Sequence, residues 1–449
     1  MRRILIPVIL VSFFFTFCTS KESETERGKP KESMIRIMSL NPGHFHAGLI
    51  HKDMYKNVDS TIHVFASQGP ELEDYLSRIE GYNSRNENST SWKVLLNESD
   101  NPLTQMISEA PGNVMVVAGK NDRKIDYILE AVKAGFHVYA DKPLVINSEG
   151  FKKLEEASRI AEENGLLLYD IMTERFEITS ILQKELTQFP ELFGEQVIGS
   201  VDDPGISKES VHHFSKMVSG SQLIRPGWFF DSGVEGDGLV DVTTHLVDLI
   251  QWTLKPDSIL EREDMDMLSA RLWPTVLTPY QFSEVTGLDT LKSDLAVYCN
   301  GEMNYTLDGV HAKVSVAWDF KAPEGAGDTH YSKIRGSKAN LIIRQGEEEG
   351  YVPQLYVELI EGEGETLNTI VDSDLQIKYP GISVEKIEEA LFKINIPDSY
   401  RIGHEAHFAQ VTEKFLKYFE NQEIPEWERS FMDIKYYTTT EASRMANLE

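Results

Sequence analysis

The sequence predicts an α/β protein: a parallel-sheet domain over residues 34–172, then, over 173–449, a second α/β domain built on a large, open, mostly antiparallel sheet. Three observations predict it. Asn113 to Pro143 reads as strand, helix and strand within about thirty residues, a βαβ unit that requires a parallel sheet. Short apolar runs bounded by turn residues stand before and after it, at Ile35–Leu40 and Leu166–Tyr169. Beyond residue 294 the runs Leu295–Tyr298, Lys313–Phe320, Lys338–Arg344 and Gln354–Ile360 alternate instead, as antiparallel strands with one wet face do. A chain of 449 residues has room for two domains and appendages.

Arg2 and Arg3 precede an apolar run, Ile4–Phe17, too short to span a membrane comfortably. Cys18 and a charged stretch follow. This order reads as a lipoprotein signal over residues 1–18, with Cys18 lipidated and residues 19–33 a flexible tether. An uncleaved signal anchor is the other reading. Both put the folded part outside the cytoplasm, in the cell envelope (periplasm or cell surface). The only other cysteine is Cys299, so a modified Cys18 leaves no disulfide in the mature chain. With 44 basic and 72 acidic residues the net charge is −28, which argues against nucleic acid and anionic membrane surfaces as partners. The lipid anchor is then the route to a membrane.

The strand Ile35–Leu40 runs into Asn41-Pro42-Gly43-His44-Phe45-His46-Ala47-Gly48 and a helix expected through Tyr55. A dinucleotide-binding fold places Gly-x-Gly-x-x-Gly here. Gly43 and Gly48 hold the first and third positions. Phe45 holds the second, where a small residue lets backbone approach a pyrophosphate. Thr61–Ser67 is the second strand, and no acid follows it to hold a ribose hydroxyl. The helix N-terminus after Gly43 still offers N–H groups to a phosphate. His44 and His46 either supplement them or serve as packing and capping residues.

Pro70–Ile79 and Leu103–Ser108 read as helices, with a short strand at Val94–Leu96. Inside the βαβ unit, Gly119 punctuates and Asn121 or Asp122 caps a helix. Ile125, Ile128, Leu129 and Val132 share a face of it, and Gly135 ends it. The second strand leads to Asp141-Lys142-Pro143. Ligands bind beyond the carboxyl ends of such strands, so Lys142 is a cation where a ligand lies. Ser148 caps the next helix.

The second domain opens with a helix, Ile178–Gln188, and a strand near Glu195–Val201. His213 and Lys216 lie in Ser210–Lys216. Arg225 and Trp228 precede a glycine-rich turn, Gly233–Gly238. A tryptophan covers apolar sugar faces and an arginine forks onto hydroxyls; a core Trp with a surface Arg is the plainer reading. Leu239–Leu254 reads as a helix with Asp241, His245 and Asp248 on one face. A carboxylate one turn from an imidazole fixes its tautomer and raises its basicity. Asp328, His330 and Lys333 follow a glycine turn and are expected at the cleft. His404 and His407 lack an evident third ligand and read as packed histidines at a helix start, so no metal site is expected.

The acid-Lys-Pro tripeptide after a strand resembles that of the GFO/IDH/MocA oxidoreductases, sugar and polyol dehydrogenases that use NAD or NADP. Their usual Glu-Lys-Pro is here Asp141-Lys142-Pro143. The stretches PGHFHAGLIHKDMY, LYDIMTERFEITSILQKEL, SVHHFSKMVSGSQLIRPGWFFD and GLVDVTTHLVDLIQW resemble a lipoprotein-type branch of Bacteroidetes-like bacteria. The resemblance implies a Rossmann-like first domain, and oxidation or reduction of a sugar or glycoside hydroxyl. It implies cofactor contacts at Gly43, His44, Phe45, His46, Ser67, Gly119, Asn121, Asp141 and Lys142. It implies catalysis by Lys142 and His245 with Asp241, and substrate contacts at Arg175, His213, Lys216, Arg225, Trp228 and Asp241. Catalytic use of Lys142 calls for a lowered pKa. The open sheet suits a homo-oligomer. Free NAD is scarce outside the cytoplasm, so a tightly held cofactor is expected, and transient sugar oxidation also permits net lyase chemistry. The alternative is a cofactor-free, lipid-anchored carbohydrate-binding protein, which Phe45 and the missing acid favour and the retained Lys142, Asp241 and His245 oppose.

Overall fold

The computed structural model describes residues 34–218 and 221–448. The signal, the tether and Cys18 lie outside the described residues. Six parallel strands form the first sheet: β1 (Ile35–Leu40), β2 (Val58–Ala66), β3 (Lys93–Glu98), β4 (Val114–Val117), β5 (His137–Asp141) and β6 (Leu168–Ile171). Their order is β3-β2-β1-β4-β5-β6. All four residues of β4 are buried, as a central strand covered on both faces requires. The helices are α1 (His46–Leu49), α2 (Pro70–Ser84), α3 (Pro102–Glu109), α4 (Lys124–Lys133) and α5 (Ser148–Glu163). Leu72, Tyr75 and Ile79 of α2 cover one sheet face, and α3, α4 and α5 cover the other.

The sequence-based boundary at residue 172 does not divide the cores. Phe408, Val411, Phe415 and Phe419, from the helix His404–Asn421, complete the α2 face of the first sheet. Met432 and Tyr436, from the last helix, Glu426–Ala446, complete the other.

The second sheet has nine strands. In spatial order they are Met265–Leu277, Leu295–Leu307, Val310–Lys321, Ile206–Ser215, Thr329–Arg335, Ala339–Gln345, Gln354–Leu359, Leu391–Asn395 and Ser383–Lys386. Ile206–Ser215 runs parallel to Val310–Lys321, and the other pairings are antiparallel. Helices α6 (Ile178–Thr187) and α7 (Thr243–Leu254) and the last helix pack on one face. On the other, Leu268, Val276 and Tyr298 are exposed.

Local structure departs from expectation in five places. The helix after Gly43 stops at Leu49 rather than Tyr55, because the His51 carbonyl accepts from Trp92 Nε1 (2.8 Å) and the Lys52 carbonyl from Arg85 Nη2 (2.5 Å). Helix α4 starts at Lys124 without a side-chain cap, because the Asn121 side chain is engaged elsewhere. Asn147, not Ser148, caps α5, accepting from the Gly150 amide. Glu195–Val201 forms only isolated bridges. Helix α7 begins at Thr243, which leaves Asp241 in the preceding turn.

Candidate active site

One cavity of about 1280 Å3 lies over the carboxyl ends of β1, β4 and β5. His44, Phe45, His46, Gly119, Asn121, Asp141 and Lys142 line this side. Across it stand His213 and Lys216 at the end of Ile206–Ser215, the loop at 322–328, His245 of α7 and His404. Lys142 and His245, 103 positions apart in the chain, thus share one wall-bounded space.

Lys142 Nζ donates to Asp241 Oδ1 at 2.6 Å, and both side chains are about nine-tenths buried. Burial alone would lower the Lys142 pKa. Asp241 and Asp141 outweigh it, and the ammonium is held above its ordinary value. The expected lowered pKa is therefore corrected: this lysine is a fixed cation, because an acid sits against it.

The partnership expected between Asp241 and His245 is corrected too. Asp241 is spent on Lys142, and among the described residues His245 Nδ1 is buried without a partner. Burial, then Lys142 and His404, hold His245 well below the usual imidazole range, so it is neutral and its basicity is lowered. Two carboxyls stand nearby: Glu235, which the sequence reading did not single out, and Glu174, which it paired with Arg175 in a junction salt bridge. Burial and Asp241 push Glu235 well above the carboxylate range. Burial pushes Glu174, at the cavity wall, up to about 7.

Behind Lys142 the fully buried Lys124 donates to Asn121 Oδ1 (2.5 Å) and to the carbonyls of Asp141 (2.9 Å) and Pro143 (3.1 Å). It clamps the turn that carries Lys142. Asn121 in turn donates to the Glu235 carbonyl (2.7 Å) and to Glu235 Oε2 (3.1 Å). Asp141 Oδ2 receives two imidazoles, His44 Nδ1 at 3.3 Å and His46 Nδ1 at 3.0 Å. At the far end Asp328 joins His213 Nδ1 (2.9 Å) and Lys216 Nζ (3.0 Å). His330 also lines the cavity, whereas Lys333 pairs with Glu358 outside it.

Four expected contacts lie elsewhere. Gly43 and Ser67 are not in the cavity lining; Ser67 is exposed, its hydroxyl on the Ser99 carbonyl. Trp228 Nε1 donates to Glu71 Oε1 (3.1 Å), bridging to α2 instead of facing the cavity. Arg175 is buried on Asp248 (2.6 Å through both Nε and Nη2) and Glu428 (2.7 Å). It is a junction residue, because two buried acids already take up its fork. Arg225 does reach the cavity, but its guanidinium is packed over Phe229 (4.4 Å) and donates to the Phe214 carbonyl (3.0 Å).

A family model described as "Putative oxidoreductase C terminal domain" matches residues 182–447. A crystal structure of a "putative oxidoreductase" from Parabacteroides merdae is 44% identical, covering 93% of this chain and 99% of that one, with a TM-score of 0.90. The chain belongs to this oxidoreductase family. This oxidoreductase also shares its fold with a levoglucosan dehydrogenase solved with NADH and L-sorbose (13% identity, 92% and 97% of the chains, TM-score 0.59). A 3-ketoreductase from Actinomadura kijaniata, solved with NADP and TDP-benzene, is similar at 15% identity over 90% and 95% of the chains, with a TM-score of 0.54. No curated protein matches the sequence.

Proposed function

We propose that this oxidoreductase moves a hydride between NAD or NADP and a hydroxyl-bearing carbon of a sugar or glycoside, with the nucleotide tightly held. The observation that carries the reading is the 2.6 Å Lys142–Asp241 pair at the carboxyl end of β5, in a cavity shared with His245. The sugar-bound levoglucosan dehydrogenase, of the same fold, supports the substrate class.

The wall fits the nicotinamide half of such a nucleotide: Gly119, Asn121 and Lys142 lie together where open α/β sheets bind ligands. The diphosphate half meets a different setting. The amides of Gly43 and His44 donate to the Ala118 carbonyl (2.9 and 3.2 Å), and Phe45 lines the wall in place of glycine. A nucleotide here is gripped chiefly from its nicotinamide end. When bound, the nicotinamide supplies the hydride acceptor or donor.

The chain's own residues handle charge and protons. The Lys142 ammonium donates to the reacting oxygen and stabilises negative charge there, as a preorganised donor does. Asp241 keeps it charged and aimed. Glu174, near 7, is best matched to take or return the hydroxyl proton at neutral pH. His245 offers a neutral imidazole to the same cavity. Asp328, His213 and Lys216 grip hydroxyls at the far end. The Arg2-Arg3, apolar-run and Cys18 order supports lipid anchoring in the envelope, and the open face of the second sheet supports self-association.

Heat-denaturing the purified protein and scanning the supernatant tests this. Near-stoichiometric NAD(H) or NADP(H) is expected. Turnover of a glycoside by protein that neither carries nor binds nucleotide overturns it. The engaged Gly43 and His44 amides favour a second reading, a cofactor-free glycan-binding protein. That reading requires unchanged glycan affinity in His245→Ala together with no nucleotide binding.

A further inference from the structure

We propose that His44 Nδ1, His46 Nδ1 and Asp141 Oδ2 form a binding site for one divalent transition-metal ion of the zinc type, with its remaining position open to the cavity for water or a substrate oxygen. The site does not rest on the nucleotide reading.

Geometry is the first argument. One oxygen, Asp141 Oδ2, stands 3.3 Å from His44 Nδ1 and 3.0 Å from His46 Nδ1, and ligand atoms of all three residues lie within 4.8 Å of one another. Tetrahedral ligands at the usual metal–ligand lengths of about 2.0–2.1 Å are separated by about 3.3 Å. The two histidine–carboxylate separations are close to that value.

The donor chemistry agrees. Two imidazoles, a carboxylate and an open position make the ligand set of catalytic zinc centres.

An orphaned atom supplies the independent observation. Asp141 is 3% exposed, and among the described residues its Oδ1 has no hydrogen-bond partner while two rings crowd Oδ2. A buried carboxylate oxygen left unpaired is costly, and a cation held at that carboxylate offsets the cost.

The ligands are also held in place. Phe45, between the two histidines, packs on both rings at 4.6 and 4.4 Å. Lys124 clamps the Asp141 carbonyl. An ion here neighbours the Lys142 turn and would polarise a sugar oxygen entering its open position.

The test uses the full chain, stripped with chelator and titrated calorimetrically with zinc chloride alone. One ion per chain is expected. His46→Ala and Asp141→Asn should each weaken binding by more than the ~10–100-fold typical of outer-shell partners. His212→Ala, at the separate Asp328 cluster, should bind like wild type. Cobalt(II) on wild-type protein gives a readout that needs no variant: intense visible bands of tetrahedral nitrogen and oxygen ligation are expected. No zinc binding by folded wild type, no tetrahedral cobalt spectrum at saturation, or zinc binding that survives His46→Ala but is lost in His212→Ala would each overturn the site. Nucleotide binding is measured in parallel. Zinc without nucleotide sinks the dehydrogenase reading alone, and nucleotide without zinc sinks the metal site alone.

Discussion

Arg175 separates a structural reading from a substrate-binding one, and Arg175→Met is the perturbation. The guanidinium is 6% exposed and spans Asp248 and Glu428, with Trp427 and Phe431 each 5.8 Å from its carbon. Removing one partner of a buried pair costs about 3–5 kcal/mol, because a charge is left behind. Here each acid keeps a second cation: Asp248 retains Lys435 at 3.0 Å, and Glu428 retains Lys414. That places the loss at about 3 kcal/mol, with about 1 kcal/mol more from the lost aromatic contacts. A folded unit of roughly 400 residues has an unfolding entropy near 0.9 kcal/mol/K, so Tm should fall by about 3–5 °C. Calorimetric melting, paired with KM for a glycoside, measures both effects. A Tm within 1 °C of wild type together with a tenfold rise in KM would refute the junction reading and restore Arg175 to the substrate site.

Lys142→Met should lower kcat by about 10²–10³ with a smaller change in KM, the size expected for one preorganised donor; an unchanged kcat removes Lys142 from the chemistry. Alcohol oxidation should rise with pH through about 7, because Glu174 must lose its proton to accept another, and Glu174→Gln should abolish that limb in a pH–rate profile. The same raised pKa makes the folded state bind the extra proton between about 4.5 and 7, so wild-type stability falls across that window as pH rises and the Gln variant loses the slope. Gly238→Ala sets a new Cβ 2.4 Å from the Asn300 carbonyl carbon, so the turn beside Asp241 must shift. A destabilisation of about 1–3 kcal/mol is expected by urea titration.

The βαβ unit was legible because each local signal agreed: Val114–Val117 is wholly apolar, Ile125, Ile128, Leu129 and Val132 do face the core, and Gly135 does adopt positive φ. Strands with clean alternation were legible for the same reason. Ile206–Ser215 was not, because it carries histidine, lysine and serine at sites that line the cavity or pair across the sheet, whereas His330 and Lys333 were placed on or near a strand edge. At the active site, a motif named Lys142, Asp241 and His245 but not their pairing. The i, i+4 spacing suggested Asp241 with His245; the chain turns before α7, and a lysine 99 positions away claims the acid. His44 and His46 carry no local sign of Asp141, which lies 95 positions beyond His46.

The buried ion network also explains how the groups proposed for catalysis hold their places. Asp248 stands one turn beyond His245 on α7, and Arg175 directly follows Glu174. The pairing of Asp248 with Arg175 therefore fixes the helix that carries the imidazole against the segment that carries the carboxyl. Lys435 extends the clamp, at 2.7 Å from Asp170 Oδ2 at the end of β6 and 3.0 Å from Asp248, so the last helix ties the first sheet to α7. These groups are 1–6% exposed, beyond the reach of mobile ions. The Tm difference between wild type and Arg175→Met should accordingly be the same in 0.1 M and ~1 M salt. A difference that shrinks with salt would mean the network is wet, and a wet network cannot hold the cavity wall in register.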